Sequence, residues 1–189
     1  MGASDPLEFI DFTDPADWES WLSSHYDRQE EVWLRIAKKG SPNVSITIPE
    51  ALDVALCYGW IDSHRKGYNE EYYLQRYSPR RSKSPWSMIN VRKAERLMEI
   101  GRMKAPGYAE ICLAQADGRW DAAYESQKSA TLPPDFADAL EQHEQAKQAF
   151  SQLDKSAQYA VFLPLLKATT TKSRAIQLQK AIAKLEAAR

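Results

Sequence analysis

The chain has 189 residues, 25 Lys and Arg against 26 Asp and Glu, a formal net charge of −1, and 43% hydrophobic residues. That length and mix suffice for one well-buried core and exclude wholesale disorder. No apolar run approaches the ~20 residues that span a bilayer, and residues 1–6 lack a basic-then-apolar leader, so a soluble cytoplasmic protein is expected.

The first element is a short apolar–acidic lead-in, Leu7–Phe12, read as an edge strand. Asp14-Pro15 then supplies a cap and a first-turn proline for a helix to about Ser24, with Trp18, Trp21, Leu22 and Tyr26 on one face. Glu31–Lys38 alternates, with Val32, Leu34 and Ile36 pointing one way, as a half-buried strand does. Thr47-Ile48-Pro49-Glu50 reads as a capping box, and Gly59 as the left-handed stop of the helix it opens. Trp60–Tyr68 and Tyr72–Ser78 form a predicted hairpin. Period-two spacing would set Trp60, Asp62, His64 and Lys66 on one face of its first strand.

Ser87 caps a helix through Ile100 whose inner face runs Asn90, Ala94, Leu97 and Met98. Another helix opens at Lys104-Ala105-Pro106 with Tyr108, Ile111 and Cys112 inward, and Arg119–Ala130 is an irregular crossing segment. Cys57 and Cys112 lack metal-ligand spacing and are expected as reduced core thiols. After Pro133-Pro134 the composition turns to Ala, Gln and Lys, and four helices follow. The third contains Pro164, which should kink it, and the last carries Ala175, Leu178, Ile182 and Leu185 as a core stripe. The predicted class is α+β: a small antiparallel sheet covered by helices, with a helical C-terminal extension. The division is an α+β domain over residues 1–132 and a helical part over 133–189 packed on it.

Charge is uneven. Asp5, Glu8, Asp11, Asp14, Asp17, Glu19, Asp27, Glu30 and Glu31 face only Arg28 in the opening stretch. Between Arg76 and Lys104 the bias reverses. Attraction between two patches of one fold accounts for this more simply than an anionic partner does.

Chemistry concentrates in the stretch from Gly59 to Asn90. Arg80 and Arg81 offer forked donors for phosphate or carboxylate, while Ser84 and Ser87 add hydroxyls. The helix start beyond Ser87 adds free N–H groups, and Trp60 and Trp86 could wall a pocket. The candidate ligand-binding set is therefore Trp60, Asp62, Arg80, Arg81, Ser84, Trp86, Ser87 and Asn90. The competing structural account pairs Arg80 with Asp62, makes Ser87 a cap, ties the loop down with Asn90 and puts the tryptophans in the core. A weaker reading makes Asp62 and His64 an acid–base pair acting on a phosphorylated or nucleotide-like substrate. No nucleophile motif, glycine-rich phosphate loop or metal spacing accompanies them, so no metal or cofactor is expected. A nucleic-acid partner for Arg92, Lys93, Arg96, Arg102 and Lys104 is disfavoured, because Glu95 and Glu99 alternate with them as on a solvated face.

With these motifs placed, the chain resembles the YdeI/OmpD-associated family, also called bacteriocin-protection proteins. The resemblance rests on Val32-Trp33-Leu34, Ile46–Asp62 ending in Tyr58-Gly59-Trp60-Ile61-Asp62, and Ser78-Pro79-Arg80-Arg81. Ser84-x-Trp86-Ser87-x-x-Asn90, Gly101-x-Met103, Pro133-Pro134-Asp135-Phe136 with Ala139-Leu140, and the Thr169–Arg174 stretch continue it, over roughly residues 8 to 187. Pro164 departs from the regular helix of such proteins. The resemblance implies a bacterial protein associated with resistance to bacteriocins or cationic antimicrobial peptides; taken with the arginine loop, the leading expectation is a non-enzymatic protein that binds a small anionic ligand or a protein partner at the Trp60–Asn90 region. It implies no catalytic residues.

Overall fold

Helix starts follow from local side-chain chemistry. The computed structural model describes residues 8–28 and 30–187, and α1 spans Pro15–His25. Ahead of it the Asp14 carboxylate accepts from the Ala16 N–H at 2.7 Å. In α2, Ile48–Cys57, the Thr47 hydroxyl accepts from the Glu50 N–H while the Glu50 carboxylate accepts from the Thr47 N–H, the reciprocal box expected. Gly59 has φ +72, and a Cβ there would come within 3.0 Å of the Pro106 carbonyl oxygen, so both conformation and space demand glycine.

Three strands, β1 Val32–Ala37, β2 Trp60–Gly67 and β3 Tyr72–Pro79, form an antiparallel sheet in the order β1-β3-β2. Helices α3 Met88–Glu99 and α4 Ala105–Ala116 follow, then α5 Pro134–Gln142, α6 Glu144–Ser151, α7 Lys155–Leu166 and α8 Thr171–Glu186. The class is α+β, with a helical C-terminal portion. Among the described residues the lead-in forms no strand. Leu7 lies outside the described residues, and Ile10 makes only an isolated parallel bridge to Leu34. By contacts the chain divides into two compact units, one of Met1–Ser84 with Arg92–Ala114, the other of Pro85–Val91 with Gln115–Arg189.

In the first unit, register decides which side chains share a face. Val32 pairs with Tyr77, Leu34 with Gln75 and Ile36 with Tyr73, so these six look inward. Trp18 and Leu22 of α1 and Ala51, Val54 and Ala55 of α2 are buried with them. Trp18 stands 5.7 Å from the Tyr77 ring, and its indole N–H donates to the Ala51 carbonyl at 3.0 Å. The opposite face is dressed by its own cations. Arg35 lies over Phe9 and Tyr72, and Lys66 and Arg76 lie over Trp33.

Two predicted inner faces are rotated. On α3 the buried positions are Val91, Ala94 and Leu97, with Asn90 and Met98 at the flanks. On α4 they are Gly107, Ile111 and Ala114, while Tyr108 and Cys112 are exposed. The cause on α4 is a close helix approach: a Cβ at Gly107 would sit 2.4 Å from the Cys57 carbonyl oxygen and the Met103 sulfur. Only the bare backbone fits against the end of α2, so the aromatic and thiol beside it turn outward. Cys57 is buried, and that burial pushes its thiol up to about 11, as an inert core thiol requires.

The second unit has its own apolar cluster, built on Phe136, Leu140, Phe162, Leu165, Ile182 and Leu185. Asp154 caps α7 through the Ala157 N–H at 2.8 Å, and α7 runs on through Pro164 to Leu166. Arg174 clasps Asp135 through two bonds of 2.6 and 2.7 Å, which holds that carboxyl below the usual range. Among the described residues no helix is long and apolar enough to cross a membrane, and no three His, Cys, Asp or Glu groups could hold a metal ion.

Candidate functional site

Arg80 follows the last residue of β3, and its backbone N–H donates to the Gly59 carbonyl at 2.9 Å. That bond pins the loop to the α2–β2 junction. The loop then turns, with the Ser84 N–H donating to the Arg81 carbonyl at 3.0 Å and Lys83 held at φ 68. Arg80 is 7% exposed, a buried guanidinium, whereas Arg81 is exposed and makes no side-chain hydrogen bond or ion pair among the described residues. Together with Arg76, Ser78, Pro79, Glu30 and Glu31 they line a cleft of about 340 Å³. Arg76 donates to Glu31 at 3.1 Å and to the Ser63 hydroxyl at 2.9 Å. Three guanidiniums against two carboxylates leave this cleft positive.

The other predicted residues divide. Trp60 is 1% exposed and donates its indole N–H to the Tyr26 carbonyl at 3.1 Å, so it is core. Trp86, Ser87 and Asn90 belong to the second unit. Trp86 is buried against Trp120, with ring centres 4.9 Å apart. The Ser87 hydroxyl accepts from the Asn90 N–H at 3.2 Å, and Ser87 bridges to Tyr124, so it caps α3 as the structural account held. Ser84 is half-buried in the Arg81 turn.

Asp62 and His64 do not share a face. A register shift between Asp62 and Arg65 inserts a β-bulge, so Asp62 pairs with Tyr77 and Arg65, not His64, pairs with Gln75. Tyr77 and Gln75 share one face of the sheet, and the pairing puts Asp62, half-buried, and Arg65, exposed, on that same face. His64 stands edge-on to Trp33 at 5.9 Å on the other face. Burial is the largest influence on Asp62 and raises its pKa, against the opposing charges of Arg65, Arg80 and Lys93. No oxygen-to-nitrogen ion pair of Asp62 closes within 4 Å among the described residues, so the Arg80 charge acts on Asp62 as an attraction at longer range. Sequence reasoning missed Arg65, Arg76 and Tyr77. Nothing local marks the bulge that brings Arg65 to Asp62, and Arg76 enters the cleft through long-range pairing with Glu31.

The charge asymmetry has an internal explanation for its main members. Glu19 binds Lys104 at 3.0 Å and Arg102 at 3.2 Å, Arg76 meets Glu31, and Lys93 meets Asp53. On α3, Arg92 and Arg96 stay exposed beside Glu95 and Glu99.

No curated protein and no solved structure matches the chain. Two family models do. Residues 129–188 match the family described as "Bacteriocin-protection, YdeI or OmpD-Associated", so that likeness, expected over most of the chain, is carried by its C-terminal third. Residues 10–110, which hold the sheet and the arginine cleft, match a second model, and since that match spans just over half of the chain, the chain belongs to the family described as a domain of unknown function, DUF8412.

Proposed function

We propose that this protein is a bacteriocin-protection protein, active against bacteriocins or cationic antimicrobial peptides, that binds a small anionic ligand at the Arg76–Arg81 cleft. The family described as bacteriocin-protecting supports the role at its broadest level. The observation that carries the ligand is the cleft itself, in which a buried Arg80, an exposed Arg81 and Arg76 converge at the end of one strand. A guanidinium fork matches the geometry of carboxylate or phosphate, and Arg81 offers its donors uncommitted.

A thermal-shift series with inorganic phosphate, citrate and nucleotides, run on wild type and Arg81→Ala, tests the binding. An anion that stabilises the wild type and loses that effect in Arg81→Ala is expected; no shift with any anion, or equal shifts in both proteins, rejects the cleft. The protective role is tested in cells. Deleting the gene should raise sensitivity to bacteriocins or cationic peptides, and unchanged sensitivity would reject the role whatever the cleft binds.

A further inference from the structure

The inner face of β2 and β3 carries a polar group for which folding alone gives no reason. Tyr77 is 0% exposed, yet its hydroxyl has no hydrogen-bond partner among the described residues. Native interiors rarely leave a buried hydroxyl unsatisfied, and phenylalanine would pack against Trp18 equally well. Directly across the strand pair stands Asp62, half-buried and without an ion pair among the described residues.

The bulge then turns Arg65 onto this same face beside them. Gln75, itself 1% exposed, accepts from the Arg65 Nε at 3.0 Å, and its amide donates to the His64 and Arg76 carbonyls. That brace fixes the guanidinium while its two terminal nitrogens donate no hydrogen bond among the described residues. Arg65 also lies over the Tyr73 ring, 5.0 Å from its centre. A buried hydroxyl, a half-buried carboxyl and an exposed, braced guanidinium thus run from interior to solvent along one face.

We infer that Tyr77, Asp62 and Arg65 form a second binding site, separate from the arginine cleft, for a small molecule bearing a hydroxyl next to a carboxylate or phosphate. The division of labour follows from donor and acceptor inventory. Arg65 takes the anionic group on its free fork. Asp62 accepts from the ligand hydroxyl, and the Tyr77 hydroxyl donates to that same oxygen. The positive surroundings from Arg65, Arg80 and Lys93 select against cationic ligands. Burial already holds the Asp62 proton more tightly than usual, so its carboxyl gains from a donor placed against it.

Isothermal titration of the full chain with glycerol 3-phosphate and malate, beside glycerol and inorganic phosphate, tests the site. Saturable binding of at least one hydroxylated anion is expected, at least tenfold tighter than inorganic phosphate and absent for glycerol. Tyr77→Phe should weaken that binding at least tenfold while keeping the fold, and Arg65→Met should weaken it likewise. All of these titrations are made in the Arg81→Ala background, so that anion binding at the cleft does not enter them. Equal binding of inorganic phosphate, full binding by Tyr77→Phe and Arg65→Met, or no binding of either hydroxylated anion in that background would overturn the inference.

Discussion

At Asp62 the fold works against the charge it carries. Burial is the largest influence on this carboxyl and raises its pKa above the ordinary value, and the three neighbouring cations only partly offset it. The sign of the consequence is fixed by linkage. A carboxyl whose folded pKa is raised binds its proton more tightly in the native state, so stability falls as pH rises from about 4 through the folded value. Asp62→Asn is therefore expected to raise the urea midpoint at pH 7, with a gain that shrinks toward pH 4. Urea melts at the two pH values check this, and an asparagine variant that is less stable at pH 7 would contradict it.

Elements differ in how openly the sequence declares them. The capping box of α2 is local, since Thr47 and Glu50 lie three residues apart and exchange bonds with the backbone between them. Thr47→Ala should cost about 1 kcal/mol in urea unfolding, the ordinary value of such a cap, and a loss indistinguishable from zero would show the box idle. The meeting of α2 with α4 was opaque by contrast, because it rests on a glycine that carries no apolar signal. Gly107→Ala should destabilise by about 1–3 kcal/mol, as overpacking does, although alanine favours helix in isolation. A variant as stable as wild type would mean that the two helices can separate freely. The same contrast explains the candidate site. Arg80 and Arg81 could be read because a Pro-flanked loop ahead of a helix has few structural needs for arginine. Arg65 could not, because a one-residue bulge moves every later side chain of β2 to the other face, and no glycine announces it. Trp60 and Trp86 looked like pocket walls only because sequence cannot tell a wall from a core.

At the scale of the whole molecule, each unit ties distant segments together with a carboxylate lowered in pKa by its cations. In the first unit burial alone would raise Glu19, but its bonds and attraction to Lys104 and Arg102 outweigh that, and the net shift is downward. In the second the bidentate Arg174 lowers Asp135, joining the start of α5 to α8. Both groups contribute stability that is fully present above the ordinary carboxyl range near pH 4 and is lost as pH falls through their lowered folded values. Asp62 has the opposite sign and cannot produce an acid-side loss. The wild-type urea midpoint, followed by far-ultraviolet circular dichroism, should thus not fall between pH 7 and 5, where Asp62 can only add stability, and should decline below about pH 4. Glu19→Gln and Asp135→Asn should each begin lower at pH 7, by no more than about 1 kcal/mol because these pairs are partly solvated. Each should then decline less steeply in acid, because a neutral amide has no proton to gain. Curves that run parallel to wild type, merely displaced, would show that these two carboxylates are not the groups through which acid acts.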